Sequence, residues 1–309
     1  MAPSGDLGGE LKLELNQAIE DAIGRLSVDT QLCAIGGGRS RRKWSGPWWQ
    51  MALLCEMGAP ERIPDCAIAN ALTLLTQSTW PQFVIGEKDR PLSDEDRAKM
   101  DCCHCELAVF YMVLSACGCD MDAETPWIRR WFLTHQLPDG GLNCSPEAYG
   151  GSRKSSVVST LPPLEALLRF TRREFTVPEK AFLDNGARYL IEHRLCRVKG
   201  RDDVINPEWL KPIFPRFFEY DVLRGMSYLV AWAERRQQPL PREVLQEGLH
   251  LLEEWIYDGQ ARIGTQVFGE RGRWESDTFP LLDLVGSVGT ISPYLYREYA
   301  KVRDAVEAS

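Results

Sequence analysis

Cysteines and a histidine crowd one short segment of the chain. Asp101 to Cys105 reads DCCHC, and Cys144 lies about one helical hairpin further on. Thiolate and imidazole are ligands of zinc, but neighbouring residues on one turn cannot all reach the same ion. We therefore predict a zinc site in which Cys103, His104 and Cys105 are completed by Cys144. A reactive thiol at a helix N-terminus is one alternative, and small residues packed in the core are another.

Three acidic residues are candidates for acid catalysis. Glu165 interrupts an apolar stretch, and a carboxylate buried there in a cavity would have a raised pKa, as a general acid requires. Asp101 and Asp277 are the other two, although an acid at a helix start, such as Asp221 or Asp277, is usually a cap. Glu165 has a competing interpretation as the static ion-pair partner of a basic residue, namely Arg153, Lys154 or Arg224.

Aromatic residues gather at the starts of the apolar helices. Their faces could line a cavity, bind substrate and stabilise a cation, although aromatic side chains at helical spacing also form ordinary cores. The predicted substrate-binding residues are Trp48, Trp49, Tyr149, Phe218 and Tyr220.

The elements that carry these residues repeat along the chain. Five prolines, each at the start of an amphipathic segment, stand 52 to 63 residues apart, and such prolines mark helix starts. Four are preceded by a more apolar helical stretch, so the unit is a helical hairpin of roughly 50 to 60 residues. The prolines are Pro64, Pro126, Pro178, Pro241 and Pro293.

The repeat predicts an all-α fold, an α/α toroid of about five to six helical hairpins, with an open solenoid as the competitor. Charged helices would form the outer layer and apolar helices the inner one. The inner helices are expected near residues 47–57, 102–117, 156–170, 219–235 and 278–287. We predict a single domain over residues 1–309, in which residues 1–45 hold a closing helix and a basic loop and residues 46–309 the hairpins.

Composition and charge restrict the kinds of partner and the cellular location that we expect for this protein. The net charge is -8 and the only dense basic run is short, so we expect no nucleic-acid partner. No apolar run reaches the ~18 residues of a membrane span, and no basic region leads into an apolar one at the start, so we expect a cytoplasmic protein without a secretory signal. Ten cysteines in a reducing compartment would remain thiols.

One turn carries a family resemblance. Residues 131–144, WFLTHQLPDGGLNC, resemble the repeat of squalene-hopene cyclases and protein prenyltransferase β subunits. The resemblance to this superfamily covers about residues 45–290 and is strong only from 130 to 230. Two glycines permit a sharp turn, and a glutamine at the helix end can bind unpaired backbone groups and tie one repeat to the next. The matching residues are Phe132, Gln136, Asp139, Gly140 and Gly141, with Leu142 where the cyclases usually have tryptophan.

The resemblance implies an enzyme that holds a hydrophobic, isoprenoid-derived substrate in a central cavity. Its reaction would be an acid-initiated cyclisation or a metal-assisted transfer, and the prenyltransferases bind zinc through Asp, Cys and His at the rim. The Asp-x-Asp-Asp motif of the cyclases is missing, and Asp101 alone stands near its place. The alternatives are a non-catalytic toroid that binds a lipid or a protein, and a zinc-dependent thiol cyclase resembling the lanthipeptide cyclases.

Overall fold

The computed structural model describes residues 7–28, 44–76, 103–145, 147–149, 153–269 and 277–308. These residues are mostly helical, which agrees with the predicted all-α class. The α-helices are α1 (Leu7–Val28), α2 (Pro47–Glu56), α3 (Asp65–Thr76), α4 (His104–Ala116), α5 (Met121–Glu124), α6 (Trp127–Thr134), α7 (Val157–Phe170), α8 (Val177–Glu192), α9 (Val222–Arg236), α10 (Arg242–Leu251), α11 (Pro280–Gly286) and α12 (Pro293–Ala308).

Short elements complete the described part of the chain. Turns of 3-10 helix span Pro60–Arg62, Pro207–Leu210 and Glu253–Trp255. Strands β1 (Ile256–Tyr257) and β2 (Gln260–Ala261) pair antiparallel, with Ile256 opposite Ala261. The five prolines of the repeat lie in the first turn of a helix or directly before it, as predicted.

The inner layer consists of the more apolar helices. Almost every side chain of α2, α4 and α7 is buried, because these helices are apolar on all faces and must be covered on all faces. The helices α2, α4, α7 and α9 each pack against the next in this order, and α4 packs most extensively against α7. Their bounds fall within a few residues of the predicted ones. The described core is therefore built on the apolar half of each repeat.

Amphipathic helices, here called the outer helices, pack against this inner layer. Helix α8 packs against α7 and α9, and α12 packs against α9 and α10. Each of these outer helices has one buried and one exposed face, as an amphipathic surface helix requires. The predicted closing helix is α1, which contacts α2 and α3 at one end of the repeat and α11 at the other. The two ends of the repeat are thus bridged by one helix.

The Asp-Gly-Gly turn joins neighbouring repeats in the predicted way. The Nε2 amide of Gln136 donates to the carbonyls of Gly140 at 2.8 Å and of Phe182 at 2.9 Å, and Phe182 belongs to α8. Gly140 has φ +99, and a Cβ there would lie 2.4 Å from the carbonyl oxygen of Asn185. A side chain at this position would therefore separate the turn from α8.

Of the two acidic residues expected to cap helices, only Asp221 does so. The Asp221 carboxylate accepts the backbone N–H of Arg224 at 2.7 Å and caps α9 as predicted. Asp277 does not cap α11, whose N-cap residue is Phe279 and has no side-chain cap. None of the described helices combines the length and the apolar character that crossing a membrane would require.

Candidate metal centre

Three cysteines converge where α4 begins. Cys103 directly precedes α4, Cys105 lies in its first turn, and Cys144 lies in the loop before α7. The Sγ atoms of Cys103 and Cys105 are 3.7 Å apart, those of Cys105 and Cys144 are 3.6 Å apart, and all three lie within 4.8 Å of one another. Tetrahedral zinc with Zn–S bonds of about 2.3 Å places its sulfur ligands about 3.8 Å apart. Two of the three Sγ–Sγ distances therefore match the edges of a zinc tetrahedron, and the third, between Cys103 and Cys144, is at most 4.8 Å.

The start of α7 brings Cys144 to this place. Its backbone N–H donates to the hydroxyl of Ser159 at 3.1 Å, and the N–H of Leu142 donates to Thr160 at 2.8 Å. Both hydroxyls belong to the first turn of α7, and α7 packs along α4. The expected convergence of Cys103, Cys105 and Cys144 is confirmed, and metal binding by them stays a prediction.

The thiols share their protons unequally. The pKa of Cys144 lies well below its ordinary value, chiefly because of its hydrogen bonds with Cys103 and Cys105. The pKa of Cys103 is raised by its hydrogen bonds with Cys105 and Cys144 and by burial. That of Cys105 is raised too, because its bond with Cys103, which lowers the pKa, is outweighed by its bond with Cys144 and by burial. Of the three thiols, Cys144 is thus the one whose surroundings favour the thiolate form.

His104 is a neighbour of the thiol cluster and not one of its ligands, contrary to the prediction. Its Nδ1 accepts the indole N–H of Trp131 at 3.1 Å, and its Nε2 lies 2.8 Å from the hydroxyl oxygen of Tyr149. An indole nitrogen only donates, so the imidazole proton sits on Nε2 and points to Tyr149. Burial lowers the pKa of His104 to about 4, which keeps the ring neutral. Both nitrogens are therefore occupied.

Tyr149 supports the cluster through two hydrogen bonds of its hydroxyl group. Besides the proton of His104, its hydroxyl oxygen accepts the backbone N–H of Asn143 at 3.2 Å. Asn143 directly precedes Cys144, so these bonds link α4 to the loop that carries the third thiol. Such outer hydrogen bonds fix the orientation of ligands in metal sites.

Glu165 is an ion-pair partner, which corrects the predicted rise of its pKa. Its carboxylate accepts Nη2 of Arg224 at 2.7 Å and lies 3.1 Å from Nη2 of Arg169. Burial alone would raise the pKa, but the two guanidinium groups outweigh it and lower the pKa below its ordinary value. Glu165 is thus held ionised. Of the partners that the sequence offered, Arg224 is the one that binds it.

The predicted substrate-binding aromatics belong to the core. Trp48 and Trp49 are buried, and the Trp48 ring stacks on Phe110 with centroids 3.6 Å apart. The Tyr220 hydroxyl donates to the carbonyl of Leu195 at 2.8 Å, and Phe218 packs on Trp44. None of the five predicted aromatics is among the residues that line the cavity described next.

A cavity of about 300 Å³ lies further along α4, between α2, α7 and α12. It is lined by Glu165 and by residues that the sequence did not indicate as functional, among them Glu56, Arg216 and Arg297. Only the run of basic and acidic residues in FPRFFEYD around Arg216 could have given a signal. Asp277 is not among the residues that line the cavity. Asp101 lies outside the described residues.

Comparison with protein-family models, with curated proteins and with solved structures found no match to this chain.

Proposed function

We propose that this protein is a zinc-dependent enzyme in which Cys103, Cys105 and Cys144 hold the metal and a substrate thiol takes the fourth position. The observation that carries the proposal is the spacing of the three Sγ atoms, 3.6 to 3.7 Å between successive thiols. Soft thiolate ligands select zinc among the common divalent ions, and catalytic zinc sites keep one position open beside three protein ligands.

A zinc site of this kind needs deprotonated thiols and a fixed position for each ligand, and this chain can provide both. The lowered pKa of Cys144 favours its deprotonation, and all three thiols would release their protons on metal binding. Ser159 and the pair His104–Tyr149 hold the loop of Cys144 in place. When bound, zinc would hold a coordinated thiol as the thiolate at neutral pH.

Thiol chemistry is supported better than acid catalysis. The acid-initiated cyclisation would need a protonated carboxyl, whereas Glu165 is paired with two guanidinium groups that favour its ionised form. The proposed reaction is therefore alkylation of the substrate thiol, which first loses its proton to solvent. In a transfer, the sulfur would bond to a carbon of a hydrophobic electrophile while the bond from that carbon to its leaving group breaks and the leaving group departs with the electron pair. In a cyclisation, the sulfur would add to one carbon of a double bond in the same substrate, and a proton from solvent would go to the other carbon. The transfer follows the resemblance to protein prenyltransferases, and the cyclisation follows the resemblance to lanthipeptide cyclases.

The proposed architecture is the α/α toroid, with the zinc centre at one rim. Sequential packing of α2, α4, α7 and α9 supports it, as does the bridge that α1 makes between α2 and α11. The cysteine cluster lies at the N-terminal ends of α4 and α7, which would then face the same rim. The turn at Gln136 that resembles the cyclase repeat is further support.

Metal analysis tests the proposal directly. Protein purified under reducing conditions with added zinc and without chelator should contain about one zinc per chain. Cys144→Ala and Cys105→Ser should each lose it. Cys66→Ala is the matched control, because Cys66 is an exposed free cysteine on α3 and should leave the zinc content unchanged.

Two further readouts separate the alternatives. Cobalt in place of zinc should give the thiolate charge-transfer absorption of a site with several cysteine ligands, and Cys144→Ala should abolish it. A catalytic site predicts that this variant keeps its cooperative unfolding, whereas a structural site predicts that it unfolds, because metal binding then contributes to folding. Metal-free wild-type protein with a disulfide between Cys105 and Cys144 would overturn the proposal in favour of a redox pair.

A further inference from the structure

The cavity beside α4 carries an excess of positive charge. Five basic side chains and three carboxylates line it. The basic residues are Arg169, Arg216, Arg224, Arg297 and Lys301, and the carboxylates are Glu56, Glu165 and Glu298. In a space partly shielded from water, charges act more strongly than at an open surface. The composition of the wall therefore favours an anion.

Each carboxylate of the wall already has donors. Glu165 accepts from Arg224 at 2.7 Å, and Glu298 accepts from Nη1 of Arg216 at 2.7 Å. Glu56 accepts the backbone N–H groups of Arg216 at 2.7 Å and of Phe217 at 2.5 Å. The acids thus fix the wall in place, and they leave part of the basic charge uncompensated.

One nitrogen of the Arg216 guanidinium group, Nη2, makes no hydrogen bond to a described residue. Its Nε donates to Asp221 at 2.8 Å and its Nη1 to Glu298, while its buried Nη2 has no hydrogen-bond partner among the described residues. The residue is only 6% exposed. A buried N–H group without a partner is unfavourable, so a ligand that accepts a hydrogen bond from Nη2 would be bound more tightly.

The mouth of the cavity adds two further cations. Arg297 and Lys301 stand one turn apart on α12, are exposed, and form no ion pair with a carboxylate of the described chain. The remaining wall is apolar and includes Val109, Val113 and Phe217. The cavity thus combines an apolar wall with basic groups inside and at the opening.

We infer that this cavity binds a small amphipathic anion, in which a carboxylate or phosphate head pairs with the arginines and a short alkyl body contacts the apolar wall. A volume of about 300 Å³ stands at the lower end of ligand pockets, so the body is short. Planar guanidinium groups match both kinds of oxyanion. The inference goes beyond the zinc centre and does not rest on it, since none of the three cysteines lines the cavity, whose nearest residue on α4, Val109, lies one turn after Cys105.

Calorimetric titration of the full chain with matched six-carbon probes tests this inference. Hexanoate or hexyl phosphate should bind, and the affinity should fall as the salt concentration rises. Hexylamine should not bind, and 1-hexanol and inorganic phosphate should each bind at least about tenfold more weakly than hexyl phosphate, because each lacks one half of the ligand. Equal binding of hexanol or hexylamine would overturn the assignment of an anion, and equal binding of inorganic phosphate would overturn the alkyl body.

Substitutions at the mouth locate the site. Arg216 also holds Asp221 and Glu298, so the exposed residues carry the test: the double variant Arg297→Gln, Lys301→Gln should bind hexyl phosphate about tenfold more weakly. Arg303→Gln, also on α12 but outside the cavity, is the matched control and should bind as the wild type does. Unchanged affinity in the double variant would place the anion elsewhere. Cys144→Ala should bind hexyl phosphate normally, which keeps the test separate from the zinc centre.

Discussion

The indole N–H of Trp131 donates to Nδ1 of His104 at 3.1 Å. The bond joins α6 to the first residue of α4 and takes up the lone pair with which the imidazole would bind a metal. On its other side the ring contacts Tyr149. A histidine flanked by two cysteines thus serves to hold the elements around the thiols together.

This geometry predicts that His104→Gln keeps about one zinc per chain, since a glutamine amide can accept from one neighbour and donate to the other. The variant should lose about 1 to 3 kcal/mol of unfolding free energy, because the buried bonds are remade imperfectly. Metal analysis and urea denaturation measure the two effects. Cys105→Ser is the comparison that should lose the metal. Zinc lost from both variants alike would restore His104 as a ligand.

The turn at Gly140 predicts a steric penalty beyond that of its backbone conformation. Gly140→Ala should cost about 1 to 3 kcal/mol for its positive φ, and more because the new Cβ meets the carbonyl of Asn185. Gly200→Ala is the matched control, since Gly200 has φ +73 and nothing within 4 Å of the added Cβ. Urea denaturation of both variants gives the difference. Equal costs would mean that the turn does not press against α8.

The buried pair Glu165–Arg224 predicts a large loss of stability when it is broken. Glu165→Gln leaves Arg224 charged and incompletely paired between α7 and α9, and removal of one partner from a buried pair costs about 3 to 5 kcal/mol. The exposed pair Glu192–Lys199 offers a control, because Glu192→Gln should cost less than about 1 kcal/mol. Denaturation midpoints provide the measurement. A small loss of unfolding free energy in Glu165→Gln would show that the pair is solvated.

Glu179 predicts an acid-sensitive contribution to stability. Burial would raise its pKa, but hydrogen bonds from Arg173 and the backbone of Thr176 outweigh burial and lower the pKa from 4.5 to about 2. The stabilisation is therefore complete above pH 4.5 and is lost as the pH falls towards 2. Arg173 is half exposed, so screening reduces the effect to about 1 to 3 kcal/mol.

Urea denaturation at pH 5 and pH 3 measures the acid-sensitive contribution of Glu179 to stability, with Glu179→Gln as the control. The variant should lose less stability than the wild type between the two pH values, because it lacks the carboxylate. Parallel losses in both proteins would contradict the assignment.

Periodicity and helix-start signals determined the helices of this protein. The five prolines and the apolar stretches before them locate the helices to within a few residues, because proline position and helical amphipathicity act over one or two turns. The tie made by Gln136 was predictable for the same reason, since a turn motif acts largely on its own neighbourhood.

Only the tertiary structure decided which polar side chains meet. Cys105 and Cys144 are 39 positions apart, and their contact depends on how α4 packs along α7. The pKa of Glu165 falls because Arg224 reaches it from α9, and Nδ1 of His104 is occupied by Trp131 of α6. The cavity that Arg216 lines is formed by residues from five parts of the chain. Each outcome depends on distances of a few ångströms between remote segments, which no local pattern records.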